Sequence, residues 1–421
     1  MSKEIIKRPR GTIDYYNENS VLLENIRKFL LKQADLYGCS YFEIPVFEEN
    51  KLFHRTTGES SDIVTKETFD LISKGDKDYT LRPEYTAGIN RSIVEEKLYT
   101  SPDLPLRISY FGPVFRYERP QKGRLRQFIQ FGVEFVDNVI DLDATIDCLM
   151  LCLNTCEKII GHKLKVKINF LGSFASREIY KTELHKFFEE KIDTMCEDCK
   201  KRLVTNPLRI LDCKVPEDQE IAKNAPTISD YLTEEDQKEY QNILKTLDIL
   251  NVSYEKDDRL VRGLDYYTGL VWEIYDPSNL EVGAISGGGK YSRLMSEIGG
   301  PDFEGIGFSI GVDRMILSLS EENKARFNQT VPVDVFIIDY RKDGTALKFA
   351  NDLRLDGYKV AIPSFAKGLG GSFKMADRLA AKFVLIVDSD MLCKVKDMST
   401  REQVDIKDED LLNYIKEKCH A

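Results

Sequence analysis

No stretch of this chain approaches the roughly 18 consecutive apolar residues of a membrane-spanning helix, and mean hydropathy is −0.34. A soluble protein is expected. The opening residues, MSKEIIKRPRGT, lack the apolar centre of a secretory signal and are too short for a transit peptide, which points to the cytoplasm. Nine cysteines in 421 residues fit a reducing compartment better than the disulfide framework of a small secreted domain. There is no internal repeat and no low-complexity tract. No Gly-Lys-Ser/Thr follows the glycine-rich segments, so a Walker loop is excluded. Positive charge is also scarce: 60 basic against 70 acidic side chains leave a net charge of −10. That argues against a general nucleic-acid coat, but not against local positive surface.

What is present suggests two domains. Residues 20–37 carry apolar side chains at helical spacing, and Gly38 follows where a C-terminal cap belongs. YFEIPVFEEN (41–50) alternates around a proline, as an edge or interface strand does. Alternating stretches over 78–135 predict an antiparallel sheet. From about 140 to 260 the pattern turns helical and reads as an insertion, placed at about 172–255. Strands are expected again at 260–275 and 281–293, and GIGFSIGVDRMILSL runs from a strand into a helix. SEENKARFNQTVP (320–332) reads as a polar linker. Beyond it, VDVFIIDY, ALKFANDLRLDG, YKVAIPS, FKMADRLAAK and FVLIVDSD predict a small α/β domain with balanced charge, 15 basic against 15 acidic over 331–421. The expected architecture is an α+β core (1–325) on an antiparallel sheet with a helical insertion, followed by an α/β domain (331–421).

One segment departs from the acidic average. FRYERPQKGRLRQFIQFGVE (115–134) sets Arg116, Arg119, Lys122, Arg124 and Arg126 against only Glu118 and Glu134. Pro120 and Gly123 mark a loop between two strands. In the second strand Arg126, Phe128, Gln130 and Glu134 share one parity, and Ile129, Phe131, Val133 and Phe135 the other. The apolar face suits packing on helices. The face of guanidinium, amide, carboxylate and phenyl ring suits a nucleotide, through charge-assisted bonds to phosphate and stacking on a base. Taken alone, the segment also fits a solvated hairpin with weak surface ion pairs. Two further arginines favour the nucleotide: Arg262 in DDRLVRGLDYYTGLVWEI and Arg314 at the strand–helix junction, where anions are favoured. GAISGGGKYSRL between them permits close backbone approach. Three arginines in three distant segments, each beside glycine or aromatic residues, are what a polyanion site assembled on a sheet leaves in a sequence.

These segments resemble the signature blocks of the class II aminoacyl-tRNA synthetases, and specifically of the histidyl-tRNA synthetase family. RPRGTIDY, LRPEYTAGINR, FRYERPQKGRLRQFIQFGVE, LVRGLDYYTG and GIGFSIGVDR occur in that family's order and approximate spacing. LVRGLDYY is the most specific, because it separates histidyl enzymes from other class II members. The resemblance covers nearly the whole chain, and the C-terminal domain is similar to the family's anticodon-binding domain.

The resemblance implies a ligase that activates L-histidine with ATP to histidyl adenylate, then transfers it to the 3′ end of histidine tRNA. Mg²⁺ accompanies ATP, no prosthetic group is expected, and the chain pairs as a homodimer partly through the segment around YFEIPVF. By position, Arg116 holds the α-phosphate, Phe128 stacks on adenine, and Arg314 with Arg124 takes the γ-phosphate side. Arg262 lies against the α-phosphate and the amino-acid carboxylate. Glu84 and Thr86 hold the α-amino group. Gln130, Glu134, Tyr267 and Tyr291 line the imidazole pocket. Arg119 and Gln121 meet the tRNA acceptor end.

This chain departs from the family in two places. Ile129 stands where the family commonly has histidine, and Lys290-Tyr291-Ser292 replaces a common Arg-Tyr-Asp. A catalytically inactive relative, the synthetase-like regulatory subunit of histidine biosynthesis, is the alternative reading; the retained arginines and the C-terminal domain weigh against it. Cys196, Cys199 and Cys213 lie in CEDC and LDCK. They read as free thiols or as three zinc ligands awaiting a fourth, with His185 a nearby candidate and no second CxxC to complete the set.

Overall fold

The alternation at 127–135 forms a long strand, β6, in a computed structural model that describes residues 5–57, 66–72, 74–213, 215–262, 266–363, 368–388 and 391–420. Residues 263–265 of LVRGLDYYTG therefore lie outside the described residues. The chain divides into two compact units, Met1–Asn328 and Gln329–Ala421.

The first unit is built on an eight-stranded sheet in the order β1-β5-β6-β11-β10-β9-β7-β8. Its strands are β1 (Ser40–Tyr41), β5 (Leu106–Phe115), β6 (Gln127–Asp137), β7 (Lys165–Phe170), β8 (Tyr254–Lys256), β9 (Tyr267–Tyr275), β10 (Ala284–Ser292) and β11 (Glu304–Gly311). The long strands pair antiparallel, and the two short edge strands β1 and β8 pair parallel. Phe131, Val133 and Phe135 share the apolar face with Ile306, Phe308 and Ile310 and with Leu270, Trp272 and Ile274. Helices Glu18–Asp35 and Leu142–Ile160 contribute to the same core. The second of these is held at both ends. Asp141 accepts from the Ala144 amide at 2.9 Å, and Gly161, at φ +89°, closes the C-terminus. Burying its Leu149, Leu151, Ile159 and Ile160 contributes about 1.5–3 kcal/mol for each side chain.

Four sequence expectations are corrected. Between 78 and 135 the chain is not all sheet, because helix Thr86–Glu95 separates β4 (Tyr79–Leu81) from β5. Glu84 nucleates that helix by accepting from its first amides. Residues 41–50 are not one strand: Pro45 divides them into β1 and β2 (Phe47–Glu49), which joins a small sheet ordered β2-β4-β3 with β3 at Phe69–Leu71. The helical character from 140 includes core elements, since helix Leu142–Ile160 and β7 belong to the sheet and its cover. Finally, the polar linker at 320–332 contains helix Glu321–Phe327. Ser320 caps it, and Phe327 sits edge-on to Phe29 with ring centroids 5.5 Å apart. Charge on its solvated face hid a single buried anchor.

The second unit has a five-stranded sheet ordered β13-β12-β14-β15-β16. Its strands are β12 (Val335–Asp339), β13 (Val360–Ala361), β14 (Phe383–Val387), β15 (Leu392–Asp397) and β16 (Gln403–Lys407). The first three in order are parallel and the last two antiparallel. Val335, Ile337 and Leu385 enter one core, and Phe336, Ile338, Val384 and Ile386 another, so the apolar runs are buried on both faces.

Candidate active site

Cross-strand register gathers the polar face of the large sheet into one site. Gly132 pairs with Ser309, Ser309 with Gly287, and Gly287 with Glu273; two residues along, on the same face, Glu134 pairs with Gly307. The glycines create room for long side chains. A Cβ on Gly307 would stand 2.0 Å from the Glu134 carboxylate, and one on Gly287 would stand 2.2 Å from the Arg262 guanidinium. The glycine spacing in β10 and β11 thus reflects what must cross above them.

At the deep end is a small chamber of about 40 Å³ lined by Glu84, Thr86, Gln130, Glu134 and four tyrosines. Glu134 is buried and accepts from Thr86 Oγ1 at 2.7 Å and from Tyr291 Oη at 3.0 Å. Asn90 Nδ2 donates to the same Tyr291 hydroxyl at 3.2 Å. Burial pushes the Glu134 carboxyl up to about 8; the Thr86 hydrogen bond opposes this and the Glu84 charge adds to it. Glu84 accepts from the Thr86 and Ala87 amides at 2.6 and 2.9 Å. Each of its oxygens keeps a second lone pair directed at further donors. Gln130 Oε1 is buried without a partner among the described residues, a free acceptor in the chamber lining.

A testable consequence follows from the Glu134 environment. The folded, ligand-free chain holds a proton that the unfolded chain releases near pH 4.5. Glu134's contribution to stability is therefore fully present below that value and is lost as pH rises through about 8. Thermal melts across this window should show Tm falling with pH in the wild type and falling less in Glu134→Gln. Equal slopes would mean that Glu134 is ionised throughout.

The chamber adjoins a cleft of about 760 Å³, and Arg116, Gln130, Arg262 and Tyr267 line both. Arg262 is clamped by Glu273 at 2.7 Å, and the other Glu273 oxygen accepts from Tyr275. Its Nε is buried without a partner among the described residues. Arg116 donates through Nε to Pro83 O at 3.0 Å and lies 5.4 Å from the Phe128 ring centroid. Arg314 donates to Gly123 O at 2.7 Å and to Ala284 O at 2.9 Å, which fixes its guanidinium between the loop and β10. Burial lowers the Arg314 pKa, and the nearby Arg124 and Arg116 cations lower it further. Three guanidiniums held close enough to repel one another form a site for a polyanion.

Other residues fall less centrally. Gln121 and Arg124 close the loop by reciprocal backbone hydrogen bonds at 3.1 and 2.9 Å around Gly123, whose φ is +71°. Both line the cleft, whereas Arg119 is exposed and does not. Arg126, grouped with the polar face by parity, lies 4.2 Å over the Tyr117 ring instead. The strand begins only at Gln127, so alternation does not extend to it. Lys290 turns away from the chamber to Glu304 at 3.1 Å and Ile140 O at 3.1 Å. Ser292 meets Thr268 across the strands at 3.3 Å.

Sequence reasoning missed Tyr266, Tyr110, Glu273 and Asp313. Tyr266 precedes β9, so strand parity could not place it; its ring lies edge-on to Tyr291 at 5.6 Å. Asp313 accepts from the Ile129 amide at 2.7 Å and from the Tyr15 hydroxyl, which ties RPRGTIDY to the cleft wall. The helical segment contributes Arg202 and Arg209 to the cleft lining.

Comparison with known proteins gives this geometry its context. Residues 11–315 match the family model for histidyl-tRNA synthetase, and residues 331–418 match an anticodon binding domain. The chain is 41% identical over 426 residues to the histidine–tRNA ligase of Staphylococcus haemolyticus, covering 98% of this chain and 100% of the relative. It is 40% identical over 421 residues to that of Malacoplasma penetrans, covering 98% of each. The crystal structure of apo histidyl-tRNA synthetase from S. aureus superposes with a TM-score of 0.79 at 34% identity, covering 98% of this chain and 100% of that one. With a polyanion cleft opening onto a buried carboxylate–tyrosine chamber, and with both units matched, the chain belongs to the histidyl-tRNA synthetase family.

Proposed function

We propose that this sheet face joins L-histidine to its tRNA at the expense of ATP, with the chamber holding the amino acid and the cleft holding the nucleotide. The supporting observation is the continuity of the two spaces: Arg116 and Arg262 stand where a carboxylate leaving the chamber would meet a phosphate in the cleft. Glu134 and the chamber tyrosines suit a ring with two nitrogens, because each buried nitrogen needs its own partner. Gln130, Tyr267 and Tyr291 complete that lining, and Glu84 with Thr86 receives the α-ammonium.

In the first half-reaction a histidine carboxylate oxygen attacks the ATP α-phosphorus in line. An O–P bond forms, the bond to the bridging oxygen breaks, and pyrophosphate leaves. Arg116 and Arg262 stabilise the charge that grows on the α-phosphoryl oxygens. Phe128 supports the adenine, and Arg314 with Arg124 holds the departing phosphates. Glu118 and Glu281 line the same cleft; their hard oxygen donors would hold Mg²⁺ arriving with ATP, and the ion would neutralise phosphate charge. In the second half-reaction the terminal ribose hydroxyl of the tRNA attacks the adenylate carbonyl and loses its proton, and AMP leaves. Arg119 and Gln121, on the loop, reach the acceptor end, and the second unit reads the anticodon. Exposed Tyr41, Val46 and Phe47 support pairing of two chains through this segment.

The test is ATP–pyrophosphate exchange with each amino acid in turn. Exchange is expected with histidine alone; a folded sample showing no histidine-dependent exchange would falsify the proposal.

A further inference from the structure

The helical segment carries a second constellation of ionisable side chains. Cys196 stands at the N-cap of helix Glu197–Thr205, and Cys199 follows in its first turn. The turn Pro207–Asp212 brings the chain back to deliver Cys213, and Asp218 lies in the first turn of helix Pro216–Ala222. The three Sγ atoms and a carboxylate oxygen lie within 4.8 Å of one another. His185, the fourth ligand considered from sequence, is instead near Glu189 at 3.8 Å.

We propose that Cys196, Cys199, Cys213 and Asp218 bind one Zn²⁺ as a structural site. With Zn–S of about 2.3 Å and Zn–O of about 2.0 Å, a tetrahedral ion sets S···S edges near ~3.8 Å and S···O edges near ~3.5 Å. The protein has 3.9 Å between Cys196 Sγ and Cys213 Sγ and 3.3 Å between Cys213 Sγ and Asp218 Oδ2. Outer hydrogen bonds already orient the donors. The Val215 amide donates to Cys213 Sγ at 3.5 Å, and the Cys196 amide donates to Asp218 at 3.2 Å. Cys199, Cys213 and Asp218 are buried, and Cys196 is half-buried. The spacing encloses a single ion and leaves no room for an iron–sulfur cluster. A carboxylate among thiolates favours zinc over cuprous copper. A disulfide would join only two of the thiols and leave the third beside a buried carboxylate.

The site also has a place in the enzyme. It clips helix Glu197–Thr205, which carries Arg202, to helix Pro216–Ala222, with Arg209 on the turn between them; both arginines line the cleft. Arg259, three residues before Arg262, donates to the Ala222 and Lys223 carbonyls at the end of the second helix. Zinc therefore holds the wall facing the nucleotide.

The experiment measures metal content of the full-length, reduced protein by inductively coupled plasma mass spectrometry. About one zinc per chain is expected, falling at least about tenfold in Cys196→Ser and in Asp218→Ala but unchanged in Cys39→Ser. Exchange of zinc for Co²⁺ should produce a thiolate-to-cobalt charge-transfer band in the wild type that Cys196→Ser lacks. Zinc-free reduced wild type with native circular dichroism and no cobalt band would overturn the site. So would a Cys196–Cys213 disulfide by peptide mass mapping, or full zinc retained in the variants. The wild-type measurements decide the question even if a variant fails to fold.

Discussion

Arg262→Ala should lower histidine-dependent ATP–pyrophosphate exchange by about 10²–10³-fold, a loss of about 3–4 kcal/mol in transition-state stabilisation. Histidine affinity, measured by calorimetry without ATP, should fall by less than about tenfold, since the chamber groups that hold the ring are untouched. The guanidinium is held by Glu273 on one side, and its Nε has no partner among the described residues. A donor preorganised in this way acts most strongly on charge that develops during reaction. Arg262→Lys should recover little, because an ammonium cannot hold Glu273 and a phosphoryl oxygen with the same rigid fork. Removing Arg262 leaves Glu273 with Tyr275 as a donor, so the fold should survive. Exchange within threefold of wild type would show that Arg262 has been given the wrong role. The regulatory-subunit alternative is decided separately, because histidine-dependent exchange by the wild type excludes it.

Glu134→Gln has the second largest expected effect. The swap keeps shape, and the new amide can still accept from Thr86 or donate toward Tyr291. It removes the carboxyl that gives up its proton when a ring N–H arrives as a partner in the dry chamber. The histidine KM should rise about 10²-fold, about 2.7 kcal/mol, with a smaller change in kcat. Discrimination against amino acids without a ring N–H should weaken as well, because rejection depends on leaving a buried polar group unpaired. An unchanged KM would mean that the carboxylate serves only to hold Thr86 and Tyr291 in place.

Much of this site could be read before any coordinates. Parity in QFIQFGVEF separated Gln130 and Glu134 from Phe131, Val133 and Phe135, and the structure places the two sets on opposite faces. The reading held there because a strand's backbone alternates by geometry whatever it pairs with. It failed at Arg126 and Tyr266, one residue before a strand begins, where no such periodicity applies. It also failed at helix Thr86–Glu95 and helix Glu321–Phe327. Their starts depend on Glu84 and Ser320 as caps, single side chains without a repeating signal.

By itself the sequence determined most element types, the local excess of positive charge and which side chains a strand interior offers to which face. These follow from short-range sterics and from the chemistry of the residues. Only the tertiary structure decided which offered groups meet. Thr86, Glu134 and Tyr291 are brought together by cross-strand register and by the docking of a helix, contacts spanning 48 and 157 residues. The same holds for Asp218 beside three cysteines. Carboxylates are too common in this chain for spacing to single one out, and only the packing of two short helices selects it.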